Sequence, residues 1–281
     1  MQFTTIVSAQ DLMQNLQRVG TVVFDARFSL SDPTYGRRVY SEGHIPGAFY
    51  LHLDLDLSSP VTADSGRHPL PAIDSFAQLM RAHGVSSDSQ VFAYDDAAGM
   101  FAARCWWLLK WLGHERVAVL DGGLQAWIRA GGAVDTTMPP TATGGNFAPQ
   151  QRPDLLVEVK QLQRGLTEKS MLLCDARAPE RYRGDIEPID KVAGHVPGAV
   201  NVPFAHNLDA NGCFKLPDEL AQIHSHPLSA GKQVVHMCGS GVTACHNVLA
   251  SAISGQPSAA LYAGSWSEWI TDPTRSIATG E

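Results

Sequence analysis

Val234-Val235-His236-Met237-Cys238-Gly239-Ser240-Gly241-Val242-Thr243-Ala244-Cys245-His246-Asn247 is the stretch from which the chain can be read outward. An apolar, β-branched run ends at Met237, and a helical pattern resumes near Val242. Between them lies a tight turn with two glycines. Glycine lets successive backbone N–H groups converge into an anion-binding nest. The positive end of the following helix adds to that field. A cysteine at the mouth of such a nest is expected to be thiolate-rich and reactive. Gly239, Gly241, Val242 and Thr243 would line the nest, and Thr243 adds a hydroxyl.

The same organisation occurs twice. Gln90-Val91-Phe92-Ala93-Tyr94-Asp95 matches Gln233 to Cys238, so Asp95 stands at the position of Cys238. Val22-Val23-Phe24-Asp25-Ala26-Arg27 matches Leu172-Leu173-Cys174-Asp175-Ala176-Arg177. Gly43-His44-Ile45-Pro46-Gly47-Ala48 matches Gly194-His195-Val196-Pro197-Gly198-Ala199, and Asp121–Trp127 matches Ala263–Trp269. Four matches in one order at nearly constant separation indicate a tandem duplication. The repeat unit is roughly 120–130 residues, an ordinary domain size. The predicted layout is a first domain over 1–135, a linker over 136–153 rich in Pro, Gly and Thr, and a second domain over 154–281. Short apolar runs alternate with helical patterns in each half. That alternation predicts α/β domains, each a mainly parallel sheet flanked by helices. Trp106, Trp107 and Trp111 fall at helical spacing and read as core.

Composition narrows the function. The 281 residues carry a net charge of −7. The halves carry 10 basic against 14 acidic and 11 against 14, so neither supports a nucleic-acid partner. No apolar run reaches membrane-spanning length. The N-terminal residues lack a basic region followed by an apolar one, so no secretory signal is expected. The five cysteines are odd in number and form no CxxC pair. A reduced, cytoplasmic protein is the expectation. His236, Cys238, Cys245 and His246 match no common zinc spacing, so no metal is expected. A tyrosine-phosphatase reading needs an arginine six residues after the cysteine, where this chain has Ala244.

Taken together, the Asp-Ala-Arg strands, the Gly-His-(Ile/Val)-Pro-Gly-Ala motifs, the Cys238–Ala244 loop and Gly264–Trp269 resemble the tandem-domain rhodanese family of sulfurtransferases. The resemblance spans nearly the whole chain. It implies two rhodanese-like domains, the second carrying the nucleophile. An acidic Asp95 is expected to be repelled from an anion-binding loop, leaving the first loop inert. Cys-Gly-Ser-Gly-Val-Thr-Ala is similar to the 3-mercaptopyruvate type, whereas the thiosulfate type has basic residues at the positions of Gly239 and Ser240.

The resemblance further implies a substrate-binding arginine at Arg181. The second arginine usual nine residues on is here Asp190, and Arg183 or Lys191 is the expected substitute. Ser240 is expected to pair with the motif histidine His44, although His195 in the second copy shares that motif and a structural duty suits both. His68 lies in the loop Gly66-Arg67-His68-Pro69 and is assigned no role. The implied activity is sulfur transfer from 3-mercaptopyruvate through a Cys238 persulfide to a small thiol, thioredoxin or cyanide, without cofactor. Thiosulfate is the alternative donor, and a non-turnover sulfur carrier is the alternative of another class.

Overall fold

Among the described residues there are nine strands: β1 Ile6–Val7, β2 Thr21–Asp25, β3 Phe49–Tyr50, β4 Gln90–Tyr94, β5 Val117–Leu120, β6 Met171–Asp175, β7 Val200–Asn201, β8 Gln233–Met237 and β9 Ala260–Leu261. The computed structural model describes residues 2–140, 142, 144–226, 229–256 and 259–281. Thr141 and Thr143 of the expected linker lie outside them.

The described residues form two compact units. The first contains a parallel sheet of order β1-β5-β4-β2-β3. The second contains a parallel sheet of order β7-β6-β8-β9. Parallel strands are covered on both faces, which is why β2, β4, β5 and β6 read as unbroken apolar runs. Their side chains nevertheless alternate between two cores. In the second unit Leu173, Val235 and Met237 pack with Leu162, Trp266 and Trp269. Leu172 and Cys174 pack with Val202 and Ile223 on the other face. In the first unit Val23, Phe92 and Tyr94 pack with Leu12, Leu124 and Trp127. The helix Ala102–Trp111 is buried almost all round, with Trp107 stacked on Trp111.

The repeat is exact in register where it matters. β2 pairs with β4 so that Asp25 lies opposite Tyr94, and β6 pairs with β8 so that Asp175 lies opposite Met237. The next residue along, Asp95 or Cys238, therefore emerges at the same carboxyl-terminal edge in each unit.

The unit boundaries differ from the predicted ones. The first unit extends to Arg152 and the second begins at Pro153. Much of the expected linker belongs to the first unit because its amides satisfy carbonyls there: Phe147 donates to Val85, Gln150 to Leu112 and Arg152 to Trp111. Residues Pro60–Pro69 group with the second unit, and Ala210–Cys213 with the first. Among the described residues no helix is long and apolar enough to cross a membrane.

Candidate active site

β8 delivers Cys238 to the head of the helix Thr243–Ile253. Its N–H donates to Ser265 Oγ (3.0 Å), and its carbonyl accepts from Trp266 (3.0 Å). Ser267 N–H donates to the carbonyl of Gly239 (2.9 Å). The turn is thus stitched to the helix Ser265–Trp269. Gly241 has φ +77°, and a Cβ there would overlap the carbonyl oxygen of Ala263, so both conformation and space demand glycine. That bend aims the Gly241 N–H at Cys238 Sγ (3.2 Å). Cys238 is 2% exposed, and Gly239, Ser240, Gly241 and Val242 are buried with it, while Thr243 is half-buried.

The first unit shows what such a turn holds. Asp95 is fully buried, and its carboxylate accepts N–H bonds from Ala97 and Gly99 on one oxygen and Phe101 and Ala102 on the other, all at 2.8–2.9 Å. The expected repulsion of Asp95 from the loop is therefore reversed. Converging N–H groups attract a carboxylate, and Asp95 is itself the anion that fills the nest. Burial pushes this carboxyl up, and the four N–H groups work against that rise without cancelling it.

Behind each turn stands the same clamp. Asp25 holds Arg27 through both carboxylate oxygens, and Arg27 Nη2 donates to the Gly43 carbonyl. Asp175 holds Arg177 likewise, with Nη2 donating to the Gly194 carbonyl. His44 stacks on Tyr40 and His195 on Tyr182 at ring separations of 4.0 and 3.9 Å. Each histidine Nδ1 lies 2.8 Å from the carbonyl of its tyrosine. The Asp-Ala-Arg and Gly-His-x-Pro-Gly-Ala motifs are thus a structural lock, made twice. Arg177 also lies over the Trp266 ring. Burial opposes its charge, but Asp175, Glu187 and Cys238 outweigh burial and raise its pKa.

This geometry corrects two expectations. His44 is not the partner of Ser240: its Nδ1 meets Tyr40, and its Nε2 lies 3.2 Å from the Thr137 carbonyl. The partner is His68, whose Nδ1 lies 2.7 Å from Ser240 Oγ, with both residues 5% exposed. Nor does Arg183 approach the loop. It pairs with Asp185 at the exposed surface. The guanidinium groups over Gly239 are those of Arg181 and Arg67. A Cβ at Gly239 would meet Arg67 Nη2 at 2.9 Å and both terminal nitrogens of Arg181 at 3.6 Å.

Arg181 is where the sequence placed it, and its orientation is set by acidic neighbours. Glu187 takes Nε and Nη2 at 3.2 and 2.6 Å, while Asp190 accepts from Nη2 at 3.3 Å. Burial pushes the Glu187 carboxyl up, but hydrogen bonds from Arg181 and from the Asp190 and Ile189 amides hold it below its usual value. Asp190 also pairs with Arg67.

Cys105, Cys174 and Cys245 are buried as well. Burial pushes the Cys105 and Cys174 thiols up to about 12, far from ionisation near neutral pH. The Cys245 thiol donates to the Gly241 carbonyl and braces the turn.

A strand-turn-helix unit built around a buried thiol, repeated in the same chain as a copy whose nest is filled by its own carboxylate, defines the rhodanese-like class. The family profile "Rhodanese-like domain" matches residues 8–130 and 158–272. The chain belongs to the rhodanese family. A relative from Pseudomonas aeruginosa, "Probable 3-mercaptopyruvate sulfurtransferase", is 49% identical and aligns over 100% of both chains. The thiosulfate sulfurtransferase of Bos taurus is 34% identical over 95% of this chain and 92% of its own. The crystal structure of SseA from Escherichia coli, described as a 3-mercaptopyruvate sulfotransferase, superimposes with a TM-score of 0.81 at 31% identity, covering 94% of this chain and 100% of that one.

Proposed function

We infer that this chain is a sulfurtransferase that takes sulfur from 3-mercaptopyruvate onto Cys238 and passes it to a thiol or to cyanide. One observation carries the reading. Cys238 Sγ accepts a loop N–H at the head of a helix, and two guanidinium groups and a Ser–His pair surround the same turn.

The donor carboxylate docks on Arg181, whose planar guanidinium suits a carboxylate. The Cys238 thiolate attacks the donor sulfur and forms an S–S bond. The donor carbon–sulfur bond breaks, and its electron pair leaves as the enolate of pyruvate. That enolate needs a proton, and Ser240 backed by His68 is the group positioned to supply one. Loop N–H groups stabilise the persulfide, as the first unit's loop stabilises Asp95. An acceptor (a small thiol, thioredoxin or cyanide) then attacks the outer sulfur and frees the Cys238 thiolate. Two half-reactions through a covalent intermediate give ping-pong kinetics.

Thiosulfate is the competing donor. The loop carries no cation of its own, yet Arg67 and Arg181 stand over Gly239 and offer charge to either anion. Parallel steady-state assays with mercaptopyruvate and thiosulfate, cyanide as acceptor, decide between them. The reading expects the higher kcat/KM with mercaptopyruvate and none with Cys238→Ser. Turnover retained by Cys238→Ser would overturn it.

A further inference from the structure

We propose that Ser267 is a positioning residue for the Ser240–His68 pair, holding the strap that carries His68 and the turn that carries Ser240 at a single point; this rests on the proton-supplying role given to that pair above. Residues Pro60–Pro69 group with the second unit, and within them Gly66-Arg67-His68 lies against the helix Ser265–Trp269 and the glycine before it. Ser267 N–H donates to the carbonyl of Gly239, the residue before Ser240 (2.9 Å). Ser267 Oγ accepts the N–H of Arg67, the residue before His68 (3.0 Å). One residue therefore fixes the backbone on both sides of the 2.7 Å contact between His68 Nδ1 and Ser240 Oγ. Its hydroxyl is anchored in turn by donating to the Gly264 carbonyl at 3.3 Å. Ser267 is 7% exposed, so water has little access to these bonds.

Packing holds the strap at the same place. A Cβ on Gly66 would meet the Gly264 carbonyl oxygen at 2.5 Å and Ser267 Oγ at 2.9 Å, so the strap lies backbone against backbone and only glycine permits that approach. The first copy supplies the contrast. The repeat places Gln125 at the position of Ser267, and Gln125 is exposed. There the turn is closed by Asp95, and a long amide in solvent stands where the second copy has a short buried hydroxyl. A group that hands on a proton must lie within hydrogen-bond reach, and a displacement of about 1 Å can cost on the order of a hundredfold in rate. Ser267 thus acts through its neighbours, by keeping His68 in register with Ser240.

The test separates the two half-reactions in the full-length protein. Pyruvate formation from mercaptopyruvate needs the proton. Transfer of the outer sulfur from loaded Cys238 to cyanide does not, because the Cys238 thiolate leaves unprotonated. Ser267→Ala should slow single-turnover pyruvate formation about tenfold, the scale of one lost hydrogen bond, and leave the cyanide step within about twofold of wild type. In a His68→Gln background the same substitution should add less than about twofold, since the group it positions is gone. Gly66→Ala, which lifts the strap from the other side, should show the same split between half-reactions and the same dependence on His68. Equal slowing of both half-reactions would overturn the proposal, as would a tenfold effect that persists without His68 or unchanged pyruvate formation in folded Ser267→Ala protein. A wild type that forms no pyruvate from mercaptopyruvate would instead remove the underlying functional reading, and this proposal with it.

Discussion

Asp95 and Cys238 stand at the same step of two copies of one fold, each one residue beyond the strand paired with an Asp-Ala-Arg strand. In the first copy a carboxylate closes the nest with four N–H bonds. In the second a thiol takes one N–H bond on Sγ. The residue at this step separates a loop that holds its own anion from one that presents a thiol.

The filled nest makes Asp95 a stability residue. Asp95→Ala would bury four N–H groups without their acceptor. Each such orphan costs roughly 1–3 kcal/mol before relaxation, so a loss of several kcal/mol is expected. Urea denaturation should show it, while sulfur transfer per folded molecule stays at the wild-type rate. A lost kcat with unchanged stability would contradict this assignment.

The two histidines should separate cleanly. His68→Gln removes the partner of Ser240 and should lower kcat about a hundredfold, the lower range for loss of a proton-transfer group. His44→Gln disturbs a stacked structural ring and should lower the melting temperature with kcat retained. Steady-state assays paired with thermal melts of both variants check this, and the reverse pattern would return the catalytic assignment to His44.

Acid should weaken the second unit below neutral pH. Burial lowers the His224 pKa from 6.5 to about 4, and burial together with His224 puts His236 well below its ordinary value. The folded state keeps these rings neutral, whereas the unfolded chain binds protons below 6.5. Stability therefore rises with pH and is lost as pH falls from 6.5 towards 4. For His224 the shift corresponds to about 3 kcal/mol across that window. Urea midpoints measured from pH 7 to pH 5 should drop, and His224→Gln should flatten the slope. A pH-independent midpoint would exclude this linkage.

Much of this was legible in sequence because it is local or repeated. The alternation of apolar runs with helical patterns gave the α/β class, and the repeat exposed Cys238 and its turn. Arg181 followed from the family pattern. The errors share a cause. The motif points to His44, although the same motif in His195 argues for structure. His68 and Arg67 meet Ser240 and Asp190 only through tertiary contacts far along the chain, with |i−j| of 172 and 123. Periodicity carries no signal for such pairs. Their one clue is a Gly/Pro-framed loop that carries an arginine and a histidine. For Asp95 the structure reverses the expected sign, since a ring of N–H groups draws an acid in.

The central claim is that Cys238 accepts sulfur and holds it. Intact-mass and peptide mass spectrometry after incubation with excess mercaptopyruvate, without acceptor, tests it directly. A gain of about 32 Da on the peptide carrying Cys238, removed by cyanide, is predicted, as for a persulfide cap. No gain at Cys238 in protein that still turns over, or a gain confined to another cysteine, would contradict the account.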